Sequence, residues 1–265
     1  KNLDDLPMLK TEAMVLERYF QFSPLPYSMP AARSKKRMSF SWAREDRDGE
    51  KRTVRTCSTE RAVAAIHDMR FFQGIDFASL VDKELMTNLP WFIDFIDKYE
   101  NDRLHEVVNW GCIGNLSALA DASLVRMMKD AACRYVILNF EEVDTVKWQK
   151  ALDSVKKHSL PYFIEMTVGY PSDTLTSFAE RAFFLFKNGA NAHVSPLLPY
   201  PDTSYFEANK EKILACYDGD LKAFYVDQEP LKRVNVSRFD MAELCGLGIL
   251  TTARDYKAIL KIVPA

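Results

Sequence analysis

Tyr162-Phe-Ile-Glu-Met-Thr-Val-Gly-Tyr-Pro-Ser-Asp-Thr174 is the stretch on which the fold turns. A run with high strand preference empties into a turn of Gly, Pro, Ser and Asp. A helical pattern follows at once. Thr174–Lys187 carries Leu175, Phe178, Ala179, Ala182, Phe183 and Phe186 at i, i+3, i+4, i+7, i+8 and i+11. Ser172 or Asp173 can cap its first turn, and Gly189 can end it. Strand, polar turn and amphipathic helix make one βα unit. A companion strand, Ala192–Leu198, ends in the turn Pro199-Tyr-Pro-Asp-Thr203 and restarts on an aromatic pair.

Working outward, Glu106–Gly111 and Tyr135–Phe140 are two more apolar strands, and the four recur about every 27–31 residues. Ser123–Ala132 and Val146–Lys157 fill the gaps as helices. Pro90 suits a first helical turn, with Trp91, Phe92, Phe95, Ile96 and Tyr99 following on one face. Two weaker strands, Arg37–Trp42 and Arg70–Ile75, precede these, with a helix over Thr59–Met69 between them. Parallel strands covered on both faces read as continuous apolar runs, as Tyr135-Val-Ile-Leu138 does. The expectation is an α/β fold, a partial parallel (β/α)6 barrel of TIM-barrel type with a C-terminal helical appendage. Its parts are a linker-like segment over 1–30, the barrel over 31–207 and the appendage over 208–265, with helices at Phe239–Gly246 and Thr252–Ile262.

The chain has 265 residues, 48% of them apolar, and a net charge of −2. That supplies a sizeable core and gives no electrostatic reason to expect nucleic acid or an anionic membrane as partner. No run approaches the roughly 20 apolar residues of a membrane span. The start at Lys1 leaves room for a leader or an upstream domain. Cys57, Cys112, Cys133, Cys216 and Cys245 are odd in number and widely spaced, which suits a reducing cytoplasm. Neither they nor His67, His105, His158 and His193 form a zinc pattern, so no metal site is expected. Cys112 and Cys133 read as small buried hydrophobes.

The chain resembles the cobalamin-binding branch of the radical S-adenosylmethionine (SAM) superfamily over roughly residues 1–207. Asn2-Leu-Asp-Asp-Leu-Pro7 is similar to that branch's linker between its cobalamin domain and its barrel. Trp110-Gly-Cys-Ile-Gly-Asn115, then Leu124 through Asn139, resembles its third strand, helix and fourth strand. Phe140-Glu141-Glu142 stands where the family has a strand-end Glu. Gly169-Tyr-Pro-Ser-Asp-Thr174 resembles its Gly-x-Pro-Gly-Glu-Thr.

The resemblance implies a SAM-binding crevice at the C-terminal ends of the strands. Glu141 would accept hydrogen bonds from the ribose or the SAM ammonium. Gly169, Tyr170 and Pro171 would bring backbone up to the adenine or ribose, and Leu197 and Leu198 would pack on the adenine. Gln73 and Asp76, taken to follow the second strand, would reach the methionine end. Asn115 stands near a position where the family often has Arg. Each also has a plainer reading: Glu141-Glu142 as a solvated pair, Gly169-Tyr-Pro as a turn, Asp76 as a cap and Asn115 as a turn residue.

The resemblance breaks after the first strand. The family places CxxxCxxC there, three thiolates for a [4Fe–4S] cluster whose fourth iron binds SAM. Here Ser41 through Thr56 contains no cysteine, and Cys57 stands alone at the far end. The interval mixes Arg44, Arg47, Lys51, Arg52 and Arg55 with Glu45, Asp46, Asp48 and Glu50. That reads as a solvated loop, or else as an anion or partner contact in place of a cluster. The DxHxxG signature of a cobalamin domain is absent too.

Three readings follow. In the first, this is a radical-SAM-like barrel that binds SAM or another nucleoside without a cluster, as a degenerate or partner subunit in specialised biosynthesis beside an active paralogue. In the second, it is part of an active cobalamin-dependent methyltransferase or rearrangement enzyme whose cluster loop is missing between Arg44 and Glu45. In the third, it is an unrelated α/β barrel that uses carboxylate acid–base chemistry through Glu141, Glu165, Asp173 or His193. The sequence names no catalytic residue and no substrate.

Overall fold

The computed structural model describes residues 3–5, 36–48, 51–83, 85–140, 144–168, 170, 173–190, 192–196, 204–216 and 219. The chain divides into two compact units, Lys1–Leu138 with Asp144–Phe163, and Asn139–Val143 with Ile164–Ala265.

The first unit is built on parallel strands β1 (Arg37–Phe40), β4 (Phe77–Leu80), β5 (Asn109–Gly114) and β6 (Cys133–Phe140), hydrogen-bonded in that order. Between β1 and β4 come an antiparallel ribbon, β2 (Ala43–Asp48) and β3 (Lys51–Thr56), and helix α1 (Thr59–Gln73). Ser58 caps α1 by accepting from Arg61 N–H, and Gly74, at φ +66°, ends it. Helix α2 (Leu89–Asn101) starts on the Asn88 cap and buries the expected face: Trp91, Phe92, Phe95, Ile96 and Tyr99. It packs on Trp110 of β5, whose ring meets Phe92 and Phe95 edge-on at 6.0 Å and Tyr99 at 6.4 Å. The polar tips are satisfied. Trp110 Nε1 donates to Ala131 O at 2.7 Å, and Tyr99 OH to Val108 O at 2.7 Å. Each fully buried aromatic here contributes on the order of 1.5–3 kcal/mol relative to exposure. Helices α3 (Leu116–Leu119), α4 (Ala122–Asp130) and α5 (Thr145–Lys157) complete the unit, and aspartates 121 and 144 cap α4 and α5.

Alternation puts Phe77, Ser79, Gly111, Tyr135 and Ile137 on the other face of this sheet. The Phe77 and Tyr135 rings stack at 5.7 Å, and Ile137 and Phe163 pack against them. A Cβ on Gly111 would lie 2.3 Å from the Tyr135 ring, so a glycine is what lets the ring cross β5. The Tyr135 hydroxyl donates to Ser79 Oγ at 3.2 Å, which satisfies both buried groups.

In the second unit β7 (Tyr162–Val168) pairs from Ile164 onward with parallel β8 (Ala192–Pro196). Helix α6 (Leu175–Lys187) buries Phe178, Ala182 and Leu185, and Phe184 stacks on Phe140 at 5.8 Å. Gly189, at φ +60°, follows its end as expected. Helix α7 (Ser204–Cys216) runs across residue 207 and buries Phe206. The helices expected at 239–246 and 252–262 lie outside the described residues. No described helix is long and apolar enough to cross a membrane.

The architecture is mostly parallel α/β, as expected, with local corrections. The first strand stops at Phe40 rather than Trp42. The second strand is Phe77–Leu80, not Arg70–Ile75. The helix begun at Thr59 keeps an inward residue as far as Met69, 6% exposed, and stops only at Gly74. The aromatic pair Phe71-Phe72, which imitates a strand, is 75% and 52% exposed on its last turn. Next, β5 begins at Asn109 rather than Glu106, because Leu104–Glu106 forms a 3-10 turn. Finally, the charged interval after β1 is a paired ribbon rather than a loop. Two residues, Gly49 and Glu50, separate its strands, and glycine first of two is a hairpin signal.

Candidate functional site

In parallel α/β folds ligands sit at the C-terminal strand ends. In the first unit those ends carry Ser41 and Trp42 after β1, Asp82 after β4 and Asn115 after β5. The Asp82 carboxylate, 9% exposed, accepts from Ser41 Oγ and from Trp42 N–H, both at 2.6 Å. It fixes the point where the chain leaves β1 for the ribbon. The Trp42 ring stacks on Phe40 at 5.2 Å, and its Nε1 is buried without a hydrogen-bond partner among the described residues. Asn115 caps α3, its Oδ1 accepting from Ser117 N–H at 2.9 Å and Ala118 N–H at 3.3 Å. Its own N–H donates to Met86 Sδ at 3.3 Å.

Gln73 and Asp76 lie at the opposite end of the sheet. With α1 running through Gln73, both precede β4 instead of following a strand. Gln73 O accepts from Lys36 Nζ at 3.4 Å. Asp76 accepts from Lys36 N–H through Oδ1 at 3.3 Å and joins β1 to β5 through its backbone.

In the second unit the turn after β7 is held by charge. Asp173 and Arg181, 7% and 3% exposed, form a 2.8 Å ion pair. The second Asp173 oxygen accepts from Tyr170 N–H at 3.1 Å. Arg181 also donates to Thr167 O at 3.1 Å and Ser177 O at 3.4 Å. The cap of α6 is Thr174, in a reciprocal box with Ser177, and not Ser172 or Asp173. Of the expected binding residues, Tyr170 thus stands at this turn. Glu141, Gly169, Pro171, Leu197 and Leu198 lie outside the described residues. Glu165 is exposed and stands opposite His193 in the β7–β8 register, with Thr167 opposite Ser195 two residues on.

Sequence reasoning missed Ser41, Asp82 and Arg181. Ser41 and Asp82 are 41 positions apart, and only the parallel pairing of β1 with β4 joins them. Arg181 carried a signal. It is a lone charge next to Ala182 on the apolar face of an amphipathic helix, and such a charge needs a buried partner.

The resembled family's cluster takes three thiolates. Cys57 is 5% exposed, and burial followed by the nearby Asp4 carboxylate pushes its thiol up to about 11. Cys112 and Cys133 are buried in the sheet, and burial together with the Cys133 neighbour raises Cys112 well above a free thiol. Among the described residues no group of three or more His, Cys, Asp or Glu can hold a metal. These residues do not fit an iron–sulfur cluster.

No protein-family sequence profile matches the chain, and no curated protein matches it. Solved structures do. The radical S-adenosylmethionine methyltransferase TsrM from Kitasatospora setae, with cobalamin and a [4Fe–4S] cluster bound, aligns at TM-score 0.57 and 12% identity over 66% of this chain. The same enzyme with tryptophan and a SAM analogue aligns at 0.56 and 12% identity over 67%. Methylornithine synthase PylB aligns at 0.41 and 13% identity over 63% of this chain and 55% of its own, too low to weigh. The chain spans 37% and 39% of the two methyltransferase structures' own length. Over about two thirds of its length, this chain has a radical-SAM-like fold.

Proposed function

We propose that this chain is a radical-SAM-like barrel of the cobalamin-binding kind that binds SAM or a related nucleoside without a cluster of its own. It serves as a degenerate or partner subunit beside an active paralogue in specialised biosynthesis. The observation that carries this reading is the course of the chain from β1 to α1. Where the resembled family has its cluster loop, two paired antiparallel strands occupy 43–48 and 51–56, and the one cysteine beside them is buried, its thiol pushed up to about 11. In this reading the nucleoside contacts are Glu141, Gly169, Tyr170, Pro171, Leu197 and Leu198, all in the second unit, and Asn115 is left as the cap of α3. Gln73 and Asp76 are left out, because they stand at the other end of β4.

The test is iron and acid-labile sulfide per polypeptide after anaerobic reconstitution, beside titration with SAM and adenosine. Nucleoside binding without stoichiometric iron is the expected result. About four irons per chain would overturn the reading in favour of an active cobalamin-dependent radical enzyme, a methyltransferase or rearrangement catalyst.

A second reading has one observation in its favour. Glu165 and His193 are register partners on adjacent parallel strands, so they share a face, as acid–base chemistry would need. If Glu165→Gln and His193→Ala both leave SAM and adenosine binding intact but abolish turnover of a carbonyl or ester substrate, this reading replaces the first.

A further inference from the structure

The Asp173–Arg181 pair calls for more than a stability argument. Desolvating both ions costs several kcal/mol each, and apolar residues of similar volume often hold such a position as well or better. What an ion pair adds is direction. Arg181 presents a rigid fork of donors two turns into α6, and the structure uses it on three elements at once. It reaches back to the last residues of β7 at Thr167 O, across to the turn at Asp173, and down its own helix to Ser177 O. Asp173 relays the hold to the backbone of Tyr170, whose N–H it accepts and whose carbonyl accepts the Asp173 N–H at 2.9 Å. Asp173 also stands just before the first turn of α6, at the positive end of that helix.

We infer that Asp173 and Arg181 are a positioning pair. They set the backbone at Tyr170 and at the end of β7 in the conformation that receives the nucleoside, and affinity depends on them through that geometry rather than through contact with the ligand. The inference rests on the nucleoside-binding reading above and adds the device that shapes the site. Lysine at 181 has one nitrogen where arginine has three, so it cannot serve the three acceptors together. Asparagine at 173 keeps the size but gives up one of the two accepting oxygens.

The experiment uses the full chain in four forms: unaltered, Asp173→Asn, Arg181→Lys, and the apolar replacement Asp173→Leu with Arg181→Met. Each is titrated with SAM and with adenosine, melted, and followed by backbone hydrogen exchange. The two single variants are expected to bind at least tenfold more weakly. Their faster exchange should be confined to Thr167–Thr174. The apolar pair is expected to recover the melting temperature but not the affinity, and it decides alone if the single variants do not fold. Recovery of affinity together with melting temperature would make the pair merely structural and overturn the inference. So would single variants that bind within twofold of the unaltered chain. If the unaltered chain binds neither ligand, the nucleoside reading itself fails and takes this inference with it. That outcome differs from one in which the unaltered chain binds and the variants bind equally well.

Discussion

The layer around Trp110 and the β2–β3 ribbon lie in the same unit and obey different physics. Trp110, Phe92, Phe95 and Tyr99 are all fully buried, and their order comes from removing apolar area from water. The ribbon is charged at Arg44, Glu45, Asp46, Arg47, Asp48, Lys51, Arg52 and Arg55, and its order comes from backbone pairing across a short turn. The first kind of region tolerates almost no change. The second can be rewritten freely, and it occupies the stretch where the resembled family keeps its chemistry.

The largest effect expected on the buried side comes from Trp110→Ala. It empties a wholly buried site and orphans Ala131 O, so urea unfolding should show a loss of about 3–5 kcal/mol. A loss below about 1 kcal/mol would mean that this layer is not the anchor of the unit.

Tyr135 gives a pH test of the same side. Burial pushes its hydroxyl up to about 12, with the Ser79 hydrogen bond pulling the other way. A group held protonated by the fold contributes stability in full below its unfolded value near 10, and that contribution is lost as pH rises from there through about 12. The difference between the folded and unfolded values corresponds to roughly 2–3 kcal/mol. The stability difference between the unaltered chain and Tyr135→Phe should be flat below pH 10. Above it, the difference should move in favour of the phenylalanine variant. A flat difference throughout would mean that the hydroxyl is not desolvated.

Gly111→Ala tests the close approach of Tyr135. The new methyl would meet the ring at 2.3–2.5 Å, and the ring is backed by Phe77. Overpacking of this kind costs about 1–3 kcal/mol. Adding Tyr135→Leu should return part of it, because residues in contact couple. Strict additivity of the two changes would refute the packing account.

What was legible in the sequence follows the same division. The α2 face was readable because burial writes a 3.6-residue period, and Tyr162–Val168 was read to its exact bounds; α6 was readable as a helix, but of its expected face Phe183 and Phe186 are exposed, at 49% and 39%, while Leu185 is buried instead. The strand at Phe77–Leu80 was not, because Ser79 looks polar until Tyr135, 56 positions away, satisfies it. Phe71 and Phe72 drew the assignment to the wrong place. In the site, the turn after β7 was visible as Gly, Pro and Asp. Arg181 on the apolar face of α6 signalled a buried partner, but nothing in the sequence named Asp173 as that partner. The ribbon was hidden by its charge, since the eye weighs Arg and Asp as loop before it weighs the turn between them.

The smallest prediction belongs to the ribbon. The register sets Arg47 opposite Arg52 and Arg44 opposite Arg55, both like-charge pairs. Directly opposed like charges destabilise a ladder, and an opposite-charge pair contributes about 0.2–1 kcal/mol. Arg52→Glu should therefore raise stability by that amount at low salt. The gain should fade toward molar ionic strength, where exposed charges are screened. Trp110→Ala should not respond to salt in this way, because its loss is apolar area. If Arg52→Glu destabilises instead, Arg52 holds an anionic group, and the ribbon is then a contact surface. If Trp110→Ala proves as salt-sensitive as the ribbon variant, the division between the two regions fails. A stabilising, salt-screened Arg52→Glu would mark the ribbon as self-contained structure.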